Sequence, residues 1–231
     1  MKILQIIIII FFIRIQSGLS IYAQEPDTVA AHYLLRADFI ARTEQLDSLY
    51  GKNKSIPEDL RCEILTALSF YPELSDERIK FIKRRFMVRA TMKAGPQASF
   101  IFRRQTKRSY VIHINNRKGL RKGCNIGKLS FNALTGLFGH ELGHILDYTH
   151  RSIPAILWIG VKYTFSRKYM KQTEYETDST AIVHGLGYGL YEFKVFLLNR
   201  SKASGKYKQR ARTYYMKPEE VLEMIRRMRL Q

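Results

Sequence analysis

Gly139-His140-Glu141-Leu142-Gly143-His144 lies inside an apolar stretch that runs from Ser130 to Tyr148, and its spacing predicts a helix with a working face. At 3.6 residues per turn, His140 and His144 stand about 40° apart on one side of that helix, so their imidazoles can reach one divalent ion. Glu141 is offset from His140 by about 100°, close enough to handle a proton beside the ion without ligating it. Leu134, Leu137, Phe138, Leu142, Ile145 and Leu146 supply apolar packing around the motif, and Ser130 or Asn132 can cap the helix. The plainer alternative is a helix whose two histidines only pack or hydrogen-bond.

A catalytic zinc commonly takes three protein ligands and keeps a fourth position open. His150 lies ten residues after His140, the metzincin spacing, but Asp147 stands where that pattern has its turning glycine. On an unbroken helix His150 points about 80° from His140 and misses the ion, unless the chain breaks first. The other candidate is Glu174 in Thr173-Glu174-Tyr175-Glu176-Thr177-Asp178-Ser179-Thr180-Ala181. If this segment is helical, Glu174 and Asp178 share a face, the first as a ligand and the second as acceptor for the other ring proton of a ligand histidine. Glu174 is favoured.

HExxH followed by a downstream ExxxD resembles the gluzincin metallopeptidases, and residues 174 to 181 are similar to the Glu-x-x-Ala-Asp-x-x-Ala signature of the CaaX prenyl peptidase family. The likeness covers residues 139 to 144 and 174 to 181. It implies a zincin-like catalytic domain in which His140, His144 and Glu174 bind Zn2+, Glu141 activates water and Asp178 orients a histidine. Thr177 departs from the signature, which has alanine there, and the membrane helices of many members are missing, so the substrate class does not carry over. The expected activity is hydrolysis of peptide or protein substrates. Tyr148, Tyr175 and His184 are candidate donors to a developing oxyanion, with packing as the plainer role for each. A zinc-stabilised, non-catalytic binding protein of the envelope and a metal-free interaction module are the rival readings.

Working outward, Thr28 to Tyr50 has helical spacing with Gly51 as a stop, and Pro57-Glu58-Asp59 opens a second helix through Leu68. His32 has no motif around it. Phe86 to Ala90, Ser99 to Phe102 and Tyr110 to Ile114 read as strands, the last two joined as a hairpin through the basic connection Arg103 to Ser109. Alternation puts Val111 and His113 on the face opposite Tyr110, Ile112 and Ile114, which makes His113 structural or substrate-side. The strand Tyr110 to Ile114 could also pair with an extended peptide. Ile153 to Phe165, with the only tryptophan, Trp158, is too short to span a bilayer and reads as core, with an interfacial membrane contact as the alternative. Residues 168 to 200 form a helical region interrupted near Gly185, Gly187 and Gly189, and Pro218 to Leu230 closes the chain as a basic helix. The expectation is an α+β, helix-rich domain over 24–231 with a small antiparallel sheet beside the HExxH helix.

Residues 1–23 read as a signal peptide: Lys2, then Ile3 to Ile13, apolar apart from Gln5, then small or polar residues to Ala23. An exported protein, periplasmic or extracellular, is expected, with an uncleaved anchor as the alternative. Cleavage removes Lys2 and Arg14 and no acid, so the formal charge falls from +19 to +17. That excess favours an anionic envelope surface as partner; no nucleic-acid motif accompanies it. Cys62 and Cys124 belong to no metal cluster, and their pairing is left open.

Overall fold

The computed structural model describes residues 33–85, 90–102, 108–117 and 123–230. The expected signal segment, His32, most of the strand expected over Phe86 to Ala90, and residues 103–107 of the basic connection lie outside them. Among the described residues the protein is helix-rich with one small sheet, compatible with an α+β architecture.

The sheet is mixed, which corrects the antiparallel expectation. Its strands are β1 (Lys54–Ser55), β2 (Arg78–Arg84), β3 (Met92–Pro96) and β4 (Ser109–Asn115), in the order β1-β2-β4-β3. β2 runs parallel to β4, with Arg78 opposite Ser109, and β3 runs antiparallel to it, with Ala94 opposite Ile112. Ser99 to Phe102 is not a hairpin strand: Ala98–Phe102 is a 3-10 turn, and the antiparallel partner of β4 comes from the Gly- and Pro-containing stretch before it. β2 alternates exposed Arg78 and Lys80 with buried Ile79 and Phe81, as a strand covered on one face should. In β4, Tyr110, Ile112 and Ile114 enter the core while Val111 and His113 line a cleft on the other face, so the alternation read from the sequence holds.

The core gathers on the long helix α4 (Phe131–Thr149). Ser130 caps it by accepting from the Ala133 amide, while Asn132 accepts from the Leu34 amide and donates to Glu192. The helix α3 (Arg61–Ser69) packs on one side, and Tyr71 just beyond it donates to the Gly139 carbonyl at 2.7 Å. Two helices that pack on each other follow α4, α5 (Ile153–Phe165) and α6 (Arg167–Ala181), started by Ser152 and Ser166 as caps. The next stretch widens into a π-turn over Ile182–Leu186, where Gly185 takes φ 83°, a conformation that side chains resist. That turn redirects the chain into α7 (Gly187–Val195), which lies directly on α4: a Cβ on Gly136 would sit 2.2 Å from the backbone of Gly189 and Leu190. Of the glycines expected to interrupt this helical region, Gly185 makes the break, while Gly187 and Gly189 lie within α7. α8 (Gly205–Tyr214) and α9 (Pro218–Arg229) complete the chain.

Two other expectations change, and one open question is answered. The N-terminal helix is two short ones among the described residues, α1 (Arg36–Ile40) and α2 (Thr43–Tyr50). α5 is only half core: Ile156 and Ile159 are buried, but Leu157, Trp158, Val161 and Phe165 face outward. Cys62 and Cys124 are separate buried thiols, and burial pushes Cys124 up to about 11. Among the described residues, no helix is long and apolar enough to cross a membrane.

Candidate metal centre

α4 directs His140 and His144 toward α6, with ring centroids 5.0 Å apart and the planes nearly perpendicular. α6 buries Glu174, Thr177, Asp178 and Ala181, spaced i, i+3, i+4 and i+7. That is the stripe a helix normally fills with apolar side chains, and here three of its four members are polar. They are buried because they meet the two histidines.

Glu174 Oε2 stands 3.2 Å from His140 Nε2 and 3.6 Å from His144 Nε2. One donor atom from each of the three residues falls within 4.8 Å of the others. Glu174 is 2% exposed, and its Oε2 accepts no well-directed hydrogen bond. A buried carboxylate oxygen aimed between two ring nitrogens is costly unless an added ring proton or a metal cation joins them, and the three donors fit a divalent ion. Tyr163 of α5 donates to the other oxygen, Oε1.

The surrounding hydrogen bonds decide which ring nitrogens are free. Asp178 Oδ1 lies 2.9 Å from His140 Nδ1, while its Oδ2 accepts from Lys194 Nζ at 2.7 Å and from the Met216 amide at 2.9 Å. A carboxylate only accepts, so the His140 proton sits on Nδ1 and Nε2 turns to the centre. Thr177 gives its hydroxyl proton to the Thr173 carbonyl at 2.8 Å and so must accept at 3.2 Å from His144 Nδ1. Thr177 thus supplies His144 with an orienting partner.

The electrostatics follow from burial and pairing. Burial alone would lower His140, but Asp178 and Glu174 overcome it and raise the imidazole to about 10 when no metal competes for the nitrogen. Burial would raise Glu174, yet the two imidazoles hold it well below the usual carboxylate range. Asp178, fully buried, is likewise held low, by Lys194 and His140.

Glu141 stands apart from the three donors. It is buried, its Oε2 accepts from the Ala94 amide of β3 at 2.6 Å, and burial raises its pKa while the two histidines pull it back. Glu141, the three donors and the strand β3 line one cleft of about 670 Å³. A comparison with protein-family models, curated proteins and solved structures finds no match to this chain.

His150 is exposed at the C-cap of α4, outside the donor cluster. Tyr148 lines the cleft, but Tyr175 donates to Glu220, and His184 stacks on Tyr71 at 4.2 Å and bonds Thr180 and Glu73, both away from it. Sequence reasoning missed Lys194, Tyr163 and the Ala94 amide. Lys194 alone left a trace, as a single cation inside the apolar run Phe193 to Leu198.

β4 is paired on both sides and has no edge for a peptide, contrary to the sequence expectation. Among the described residues the sheet's edges are β1 and β3, and the one beside the cleft is β3. The bonds from the Asn115 amide to the Thr91 carbonyl and from the Gln97 amide to the Ser109 carbonyl turn the odd-numbered residues toward β4. The backbone of Met92 and Ala94 therefore faces away from the sheet, beside the cleft.

Proposed function

We propose that the chain is a zinc-dependent metallopeptidase of zincin type, with His140, His144 and Glu174 as ligands and Glu141 as general base. The observation that carries this reading is the convergence of two Nε2 atoms and an orphaned carboxylate oxygen inside an open cleft that also holds Glu141. Two imidazoles and a carboxylate suit zinc, and three protein donors in a cleft leave a position for substrate, where a structural site would be closed by a fourth.

A zinc ion at this site supplies Lewis acidity, making water more acidic and polarising an amide carbonyl. The chain does the rest. The Ala94 amide fixes one oxygen of Glu141, leaving the other to take a proton from water and pass it to the departing amine. Asp178 and Thr177 hold the ligand imidazoles in the tautomer that presents Nε2. An extended substrate can lie along the open edge of β3, bound through its backbone and hence with broad sequence tolerance. The basic composition and the signal-like N-terminus support work outside the cytoplasm, on peptides or proteins at an anionic envelope.

Metal content and cleavage of a peptide library, measured on the same preparations, test the reading. Wild type should carry about one zinc per chain and cleave. Glu141→Gln should keep the zinc and lose cleavage, and Glu174→Ala should lose both. A Glu141→Gln protein that still cleaves overturns the mechanism, and metal lost from His150→Ala but retained by Glu174→Ala overturns the ligand assignment.

A further inference from the structure

Helix α5 is two-sided. Ile156, Ile159 and Tyr163 turn inward and line the cleft. Leu157, Trp158, Val161 and Phe165 fall in an arc of about 100° on the opposite side, with Trp158 60% and Phe165 83% exposed. Of the ten large exposed apolar side chains among the described residues, four share this one arc. They make a patch where scattered exposure would need no explanation.

The charges around the patch are one-sided. Between Asp147 and Glu174 the sequence holds no acidic residue and five basic ones, Arg151, Lys162, Arg167, Lys168 and Lys171. Arg151 is bound to Asp147 at 2.6 Å. Lys162 is on α5 itself, over the Tyr169 ring, and Arg167, Lys168 and Lys171 are exposed in the turn and a half of α6 that follows Phe165. A second copy of the chain would bring like charges together here, on a protein already at +19. An anionic lipid surface satisfies both features: the aromatic and aliphatic side chains enter the headgroup boundary while the cations meet the headgroups.

We infer that α5 is a membrane-docking helix, inserting Leu157, Trp158, Val161 and Phe165 into the interface of an anionic bilayer, with Lys162, Arg167, Lys168 and Lys171 as its electrostatic contacts. Because Leu157, Gly160 and Thr164 also border the cleft, docking sets the mouth of the cleft at the lipid surface, within reach of chains held there. The docking is independent of what the cleft catalyses.

Trp158 is the only tryptophan, so intrinsic fluorescence of the full-length protein reads this helix alone. With vesicles of phosphatidylcholine containing about one-third phosphatidylglycerol, its emission should shift to the blue and be quenched by lipids brominated on the acyl chains. Pure phosphatidylcholine should give little of either. Val161→Glu/Phe165→Glu should abolish the shift with far-UV circular dichroism unchanged, and Lys168→Glu/Lys171→Glu should weaken vesicle binding by roughly tenfold or more. Protein that sediments with vesicles while Trp158 emission stays unchanged overturns the inference, because another segment is then the anchor. So does equal binding to neutral vesicles, or a blue emission in lipid-free solution, which would mean that the patch is covered by a second copy or by residues 1–32. If the double glutamate variant does not fold, quenching of the wild-type protein still decides the matter.

Discussion

At the scale of single residues, the candidate centre is a problem of proton placement. Each histidine offers two nitrogens, and only a partner on Nδ1 keeps Nε2 available: Asp178 for His140 and Thr177 for His144. Both partners sit on α6 beside Glu174, so one helix supplies one candidate donor and the orientation of the other two. Thr177→Ala should therefore leave the fold intact and weaken zinc binding by roughly 10- to 100-fold, measured by competition with a chromophoric chelator. Unchanged affinity would reduce Thr177 to a packing residue. His140, His144 and Glu141 were legible because their geometry follows from helical spacing alone, and the relation of Glu174 to Asp178 was legible for the same reason. That Thr177 addresses His144 was not: the pair is separated by 33 residues, and the contact exists only after α4 and α6 have docked.

At the scale of elements, the cost of burying charge has to be met by neighbours. Asp178 is fully buried, and Lys194 of α7, 5% exposed, neutralises it through a bond of 2.7 Å. Replacing Lys194 by Met keeps the volume but leaves a buried carboxylate short of a partner, so Lys194→Met should cost about 3–5 kcal/mol in urea unfolding of the metal-free protein. The approach of α7 is itself set by glycine against glycine. Gly136→Ala forces a methyl against the backbone of Gly189 and should cost about 1–3 kcal/mol or more; a neutral result would mean that the two helices can separate freely. α4 was readable from its cap and periodicity and residues 168 to 200 were read as helical, but the helices Ile153–Phe165 and Gly205–Tyr214 were not read as such, and the sheet was misread for a physical reason. Alternation in Arg78-Ile79-Lys80-Phe81 is a good strand signal, but a parallel pairing of β2 with β4 leaves no turn signature between neighbours, and the short apolar run at Ser99 to Phe102 fits a 3-10 turn as well as a strand. α5 was misread because apolar composition speaks for burial only where another element covers it, and among the described residues none covers its outer face.

At the scale of the whole molecule, the proposed centre would couple metal, proton and stability. In the metal-free chain His140 titrates near 10, against about 6.5 for an unfolded histidine. A group whose folded pKa is raised stabilises fully below its unfolded value and loses that contribution as pH climbs through the folded one. The metal-free protein should accordingly lose stability between about pH 6.5 and 10. Zinc acts in the opposite sense: it needs Nε2 of both histidines without protons, so its affinity and the stability it adds through mass action grow over the same interval. The two trends make the gap in melting temperature between zinc-loaded and chelator-treated protein widen as pH rises from 6 to 9. Differential scanning fluorimetry with and without chelator across that range measures it. His140→Ala should flatten the slope of the chelator-treated series and remove the gap. A gap that is constant or shrinks with pH would mean that His140 is not held between Asp178 and Glu174 as a competing proton site, and with that the link between the buried carboxylates and the metal would fail.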